Sequence, residues 1–220
     1  MQYLYHPDAK EEQLKIDGDD FRYLVKVRRF KEGKEIDLRN LKDHILYRYK
    51  ITNINKKDLT LSLIDSKEDV EQKEKKLHII WCVIDPKTIY STIPMLNQIG
   101  VSKISFVYCR RSQRNFKIDL QKIKKILINS SQQCGRTSLM ECELLDSLLD
   151  AIRLYKDFAV MDFGGESEYK DIKTALIGCE GGFSDDEKNL LLKHPKIGLK
   201  TSNILKSETA VLSFSIKALI

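Results

Sequence analysis

From Leu77 to Ile220, strand-length apolar runs alternate with helix-length amphipathic stretches, and glycine punctuates several of the joins. Leu77 to Ile84, Ile104 to Tyr108, Met140 to Leu144, Phe158 to Asp162 and Ala175 to Ile177 read as strands. Thr88 to Ile99, Leu120 to Cys134 and a stretch around Leu145 to Tyr155 read as helices, the first two stopped by Gly100 and Gly135. Pro94 predicts a kink or a late start in the first of these helices. Such alternation specifies an α/β domain with a mostly parallel sheet covered by helices on both faces.

The first 64 residues follow another rule. A short helix is predicted from Asp19-Asp20 to about Val27, with a turn at Gly33. Glu35 to Leu38, Ile45 to Ile54 and Leu59 to Leu63 then alternate apolar with polar residues, and Asn55 to Asp58 is a hairpin connection. A small β-barrel is the simplest closure, since it removes exposed edges. Between the two regions, Asp65 to Lys76 is charged everywhere except Ser66, Val70 and Gln72, cannot bury a core face and reads as a linker. The expected division is therefore 1–64, a linker over 65–76, and 77–220.

The chain has 220 residues, 42% hydrophobic, with net charge +6. Five cysteines, an odd number without Cys-x-x-Cys, suggest neither a disulfide framework nor zinc; they read as reduced, mostly buried thiols. The four histidines are scattered, and no metal is predicted. With neither a secretory signal pattern at Met1 nor an apolar run long enough to span a bilayer, a cytoplasmic protein without membrane contact is expected. Positive charge gathers in two places, Lys26 to Lys34 and Arg110 to Lys125. Each cluster alone is a solvated face or an RNA phosphate contact.

One stretch carries chemistry. After Ala175-Leu-Ile177 comes Gly178-Cys-Glu-Gly-Gly-Phe-Ser184, and Ser184 and Glu187 are spaced as a capping box, so a helix starts just beyond a glycine-bearing loop able to admit a ligand against its backbone. The loop matches neither the dinucleotide fingerprint nor the phosphate-binding loop, and by itself is also compatible with a plain tight connection.

Followed by Ile204-Leu-Lys-Ser-Glu-Thr-Ala210, however, the loop resembles the cofactor-binding end of the SPOUT methyltransferases. Within them it is most similar to the 16S ribosomal RNA (uracil-N3) methyltransferase family, whose members carry Gly-Pro-Glu-Gly-Gly-Phe and later Leu-Gly-Pro-Arg-Ile-Leu-Arg-x-Glu-Thr-Ala. Tyr23 to Lys34 resembles the family's N-terminal His-x-x-x-Val-Leu-Arg-x-x-x-Gly-Asp, Arg29 keeping its arginine. Asn97 to Val101, Arg111-Ser112 and Gln132 to Arg136 extend the likeness over most of the chain. Departures are Cys179 for proline, Thr201-Ser-Asn203 for Gly-Pro-Arg, Lys206 for arginine, and Gln98 and Gln132 for acids.

The resemblance implies a PUA-like RNA-binding barrel ahead of a SPOUT domain with a deep trefoil knot, a homodimer, and transfer of a methyl group from S-adenosyl-L-methionine to uracil N3 in 16S ribosomal RNA of the small ribosomal subunit. It implies cofactor contacts at Ile177, Gly178, Cys179, Glu180, Gly181 and Gly182; in Leu199, Lys200 and Thr201; and at Ile204, Leu205, Lys206, Thr209 and Ala210. Lys206 is the candidate for holding the anionic uracil. Glu208 is a possible base, and Glu180 takes either a substrate role or caps neighbouring amides. Ser207 is a candidate N-cap. RNA contacts are implied at Lys26, Arg28, Arg29, Arg111, Arg114, Gln133 and Arg136. Rival readings are another SPOUT specificity such as 2′-O-ribose methylation, a non-catalytic RNA binder of the same fold, and an α/β enzyme acting on an anionic small molecule.

Overall fold

The computed structural model describes residues 1–68, 75–166 and 172–220, the side chains at 163, 164 and 166 excepted. Two compact units result, one of residues 1–72 together with 131–139, the other of residues 73–130 and 140–220.

The first unit is a five-stranded sheet. β1 (Leu4–Tyr5) lies parallel to β3 (Glu35–Arg39), and β3, β4 (Ile45–Ile54), β5 (Asp58–Glu68) and β2 (Gln13–Asp17) follow antiparallel, in the order β1-β3-β4-β5-β2. Asn55 N–H closes the β4–β5 hairpin on Asp58 C=O at 2.8 Å. Leu14, Ile16, Leu38, Tyr47, Tyr49, Ile51, Leu59 and Leu61 supply the alternating inward faces. The predicted helix forms as α1 (Gly18–Phe21) running into a π-helical stretch, Arg22–Val27, that buries Leu24.

β5 runs four residues into the stretch expected to be a linker: Asp65 to Glu68 pair with Arg48 to Ile45. Backbone pairing is indifferent to side-chain charge, and a long exposed ladder needs no core. Residues 69–74 of that stretch lie outside the described residues. Segment 131–139 was not expected in this unit. Gln132 brings it there, its C=O accepting from Gln2 N–H at 2.7 Å and its Oε1 from Tyr5 N–H at 2.8 Å.

The second unit is a six-stranded parallel sheet, ordered β11-β9-β10-β6-β7-β8, of β6 (His78–Cys82), β7 (Lys103–Val107), β8 (Glu141–Leu145), β9 (Ala159–Glu166), β10 (Thr174–Ile177) and β11 (Lys196–Ile197). The helices are α2 (Pro86–Ile99), α3 (Leu120–Cys134), α4 (Leu148–Leu154), α5 (Asp185–Leu191) and α6 (Ser207–Leu219). α2 starts two residues earlier than the expected Thr88, not late, because Asp85 accepts from Lys87 N–H and Pro86 occupies the first turn, where its missing donor costs nothing. It continues through Pro94 to Gly100, whose φ of 104° only glycine adopts without strain. α6 packs on α2 and β10, α4 on β7 and β8. Trp81, Phe106 and Phe214 are fully buried in the core.

The thiol expectation fails for one pair. Cys82 and Cys109 form a disulfide with Cα atoms 5.9 Å apart. Their separation in sequence hid a proximity created by β6 and β7 lying side by side, with Cys82 opposite Val107. Of the other three, only Cys179 is buried.

At the starting edge of this sheet a polar network crosses three strands. Ser105 donates to Glu143, which also accepts from Tyr155 and pairs with Lys103 at 3.3 Å. Since the serine proton is committed, His78 Nε2 donates to Ser105 Oγ at 2.7 Å, which puts a ring proton on Nε2. Burial, aided by the Lys103 charge, lowers the His78 pKa to about 4. The unfolded chain takes up this proton near pH 6.5 and the folded chain only near 4, so the contribution, at most about 3 kcal/mol, is complete above 6.5 and lost as pH falls toward 4. We expect the urea midpoint to fall across that window, and His78→Gln to flatten the dependence by up to one proton.

Candidate functional site

A cavity of about 430 Å³ opens beside the middle of β9 and at the end of β10. Four pieces of chain wall it: Met161 and Asp162 of β9, Ile177 through Phe183, the segment from Leu199 to Leu205, and Ser207 with Ala210 on the first turn of α6. Apolar side chains of Ile177, Leu199, Ile204, Leu205 and Ala210 make much of the wall. The carboxylates of Asp162 and Glu180 are the lining acids.

The glycine loop is held from both ends. At its far end Ser184 Oγ accepts from Glu187 N–H at 3.3 Å and Glu187 Oε2 accepts from Ser184 N–H at 2.9 Å, the capping box expected from the sequence. The remaining oxygen of the buried Glu187 accepts from Arg110 N–H at 2.7 Å, tying in the loop after β7. Arg111, next in the chain, donates from Nη1 to Gly181 C=O at 2.6 Å, and a Cβ on Gly181 would meet Arg111 Cβ at 3.1 Å. Gly182 has φ 64°, a turn that a side chain would strain. Burial raises the Cys179 thiol pKa, with the Glu180 charge adding to it, so this cysteine stays protonated and is no nucleophile.

At its near end the loop is locked to α6. Ser207 Oγ donates to Gly178 C=O at 2.6 Å and accepts from the fully buried Trp81 indole N–H at 2.9 Å. Ser207 is thus not the N-cap considered above. Lys206 occupies that position without a side-chain cap, and Ser207 turns inward instead. Nothing in a one-letter sequence distinguishes these two roles of serine at a helix start.

Of the cofactor-contact residues expected from the sequence, Ile177, Gly178, Cys179, Glu180, Gly181, Gly182, Leu199, Thr201, Ile204, Leu205 and Ala210 come together in this wall, while Lys200, Lys206 and Thr209 do not line it. Lys206 and Thr209 are exposed beside it at the start of α6, and Glu208 is half-buried. Met161, Asp162, Phe183, Asn203 and Ser207 are lining residues that were missed. The β9 pair had no motif signal, and only the parallel pairing of β9 with β10 delivers it.

Close backbone packing shapes the same end of the sheet. A Cβ on Gly165 would lie 2.4 Å from the carbonyl carbon of Ile197, and one on Gly198 would lie 2.9 Å from Asp162 O, so the chain after β11 is pressed directly against the end of β9.

The basic residues separate. Lys26, Arg28 and Arg29 are exposed in the first unit, Arg29 in the left-handed region at φ 56°, and the Arg28 and Lys34 charges each sit 5.8 Å from the Phe30 ring. Gln133 is exposed, whereas Arg136 is half-buried, with its Nε out of solvent and its C=O accepting from Tyr3 OH at 2.5 Å. Arg111 is committed to Gly181, while Arg114 faces a different cavity.

Comparison with known proteins gives one answer. The family described as RNA methyltransferase domain matches residues 71–218, and the RNA methyltransferase PUA domain matches residues 16–64. The ribosomal RNA small subunit methyltransferase E of Helicobacter pylori is 42% identical over 216 residues, 96% of each chain. Among solved structures, a probable rRNA methyltransferase from Porphyromonas gingivalis superposes with TM-score 0.82 at 19% identity, covering 99% of this chain and 95% of its own. The ribosomal RNA small subunit methyltransferase E of Neisseria gonorrhoeae bound to S-adenosyl methionine superposes with TM-score 0.79 at 17% identity, covering 98% and 95%. At those identities the two structures establish the shared fold.

Replacing Ser207 with alanine leaves the Trp81 N–H and one Gly178 carbonyl bond unmade in the core. We expect a loss of about 1–3 kcal/mol in urea denaturation, with a larger loss than for Ser213→Ala on the partly exposed side of the same helix.

Proposed function

The chain belongs to the ribosomal RNA small subunit methyltransferase E family, and on that premise we propose that it methylates N3 of a uridine in 16S ribosomal RNA, taking the methyl group from S-adenosyl-L-methionine. The observation that carries this reading is the cavity itself. Its volume suits a small organic ligand, its apolar walls suit a heteroaromatic ring, and Glu180 suits a ligand that carries positive charge, Asp162 being paired with Lys196 at 2.8 Å.

When bound, the cofactor supplies an electrophilic methyl on a sulfonium. The chain's own task is to fix the acceptor in line and manage charge. The glycine loop, pinned by Ser207 and Glu187, offers a rigid backbone surface, while Leu199, Ile204 and Leu205 exclude water. The exposure of Lys206 outside the cavity wall supports a role toward the acceptor rather than the donor. Its ammonium offsets the charge that gathers on the uracil ring as the N3 proton leaves. Glu180 in the wall and Glu208 on α6 are the two candidate acceptors of that proton.

The expected division 1–64, 65–76 and 77–220, with β5 carried on to Glu68 and residues 131–139 joining the first unit, then corresponds to a module that holds RNA, a charged connection and the catalytic domain. The first unit does not close the barrel expected from the sequence, since β1 and β2 remain the two edges of one sheet among the described residues. This PUA-like half-barrel uses Lys26, Arg28 and Arg29 on phosphates, with Gln133, Arg136 and, from the second unit, Arg111 as further contacts. The second adopts the SPOUT trefoil knot. The backbone-on-backbone packing of Gly165 and Gly198 supports a chain that passes tightly through the end of the sheet before α6 returns to β10. A homodimer is supported by the exposed Met95 and Ile216 on the mutually packed α2 and α6, and by Ile220 just past α6. Among the described residues no helix is long and apolar enough to cross a membrane, and assembling small ribosomal subunits in the cytoplasm are the expected partner.

Labelled S-adenosyl-L-methionine and small subunits lacking the modification test the reading: 3-methyluridine is the product expected by nucleoside mass spectrometry. Label in any other nucleoside, or in none, refutes it. Lys206→Ala is expected to lower kcat on the order of a hundredfold with cofactor affinity by calorimetry retained, and Lys206→Arg to keep most of the activity.

A further inference from the structure

A second cavity, of about 460 Å³, lies at the ends of β7 and β8 beside α5, and nothing above uses it. Segment 109–112 separates it from the glycine-loop cavity. Arg110 lines this one, and Arg111 reaches across to Gly181 in the other. Likewise Ser184 lines this cavity and Phe183 its neighbour. The two sites are therefore linked through sequence neighbours on two segments, 110–111 and 183–184.

Its lining is chemically mixed. Arg110, Arg114 and Lys117 contribute three cations, and Asp146 and Asp186 two exposed carboxylates. None of these five makes an ion pair among the described residues. Glu187, also in the lining, does not neutralise the arginines by side-chain pairing, because both its oxygens are committed to backbone N–H groups. Charges of both signs thus line one cavity without meeting, which leaves a gap for a ligand bearing both an anion and hydrogen-bond donors. Leu149 and Leu190, 40% and 49% exposed, add apolar surface to the same lining. Tyr108 donates to Phe116 C=O at 2.7 Å and so fixes the loop that carries the cations.

A nucleotide has all three features: a phosphate, an apolar ring face, and donors on the base edge. We propose that this cavity binds the nucleotide adjacent to the target uridine in single-stranded RNA, with its phosphate on Arg110, Arg114 and Lys117 and its base on Leu149 and Leu190. Asp146 and Asp186 accept from the base edge, which favours an amino-bearing base over uracil, as carboxylates favour cytosine N4. The inference rests on the reading of this chain as an RNA methyltransferase. It extends that reading by giving the substrate a second, sequence-selective anchor on the far side of the loop that holds the cofactor.

The test uses the full-length protein, wild type and the variants Arg114→Glu/Lys117→Glu and Asp146→Asn/Asp186→Asn. It measures methyl transfer to unmodified small subunits, calorimetric affinity for S-adenosyl-L-methionine, and binding of fluorescent single-stranded RNA dodecamers that differ only in the base beside one uridine. The charge reversal is expected to raise KM for subunits about tenfold or more and to lower the salt slope of RNA binding by about two, with cofactor affinity unchanged. The asparagine pair is expected to erase the wild-type preference for an amino-bearing neighbour. Should the reversal unfold the chain, Arg114→Ala and Lys117→Ala report the same slope singly. Active wild type with unchanged KM and slope in the charge variants overturns the proposal alone. A lowered slope without base preference in the wild type reduces the cavity to a phosphate patch and overturns the nucleotide assignment. A wild type that neither methylates subunits nor binds RNA overturns the parent reading, and this one with it.

Discussion

One hydroxyl holds the cavity's walls in register. Ser207 Oγ sits between the Trp81 indole and the Gly178 carbonyl, so it joins β6, the start of the glycine loop and the first turn of α6 at a single buried point. Each partner is polar and out of water, and each would leave a costly unmade bond if the others moved. The position of the segment Leu199 to Leu205 follows from this, because it is suspended between β11 and α6 and its hydrogen bonds, Thr201 N–H on Leu199 C=O and Asn203 N–H on Thr201 Oγ1, are local.

Glu187 plays the matching part at the other end of the loop. A capping glutamate ordinarily serves its own helix, and one of its oxygens does so here. The other accepts from Arg110 N–H, so the helix start, the loop after β7 and the glycine loop move as one body. A carboxylate buried on all sides by backbone donors is well satisfied without any cation, and this leaves Arg110 and Arg111 to point their side chains elsewhere.

Much of this was legible in sequence where a residue has one physical use. Gly100 and Gly135 ended helices because both adopt the left-handed backbone there, and Ser184 with Glu187 announced a helix start because that spacing serves little else. The family motifs likewise gathered most of the cavity wall. Where a residue has two uses, sequence could not choose. Ser207 was a cap or a core bridge, and tertiary packing selected the bridge. Contacts with no local signature were invisible for the same reason: the Cys82–Cys109 pairing, Asp162 in the cavity, and segment 131–139 drawn to β1 by Gln132 all depend on which strands become neighbours. The charged stretch misled differently. Side-chain polarity argues against a core face, but β5 needs only backbone partners, and Arg48 to Ile45 supply them.

Lys206 shows how position can outweigh chemistry in such a site. The family arginine and this lysine differ as hydrogen-bond donors, one a rigid fork and the other a mobile point charge. A fork repays its rigidity only against a fixed, flat partner. As the N-cap of α6, Lys206 has its backbone fixed by Ala210 N–H on its C=O at 2.9 Å, while its side chain projects into solvent without a bonded partner in its own helix start. The chain thus anchors the backbone of this residue through Ser207 beside it, and under the proposed function its exposed charge follows the substrate. A donor that ranges over several ångströms gives less orientation per bond than a guanidinium, so more of the alignment of the acceptor falls to groups that do not move. Under the proposed function those are the pinned glycine loop and the segment 109–112, tied to it by Arg111 on Gly181 and to α5 by Arg110 on Glu187.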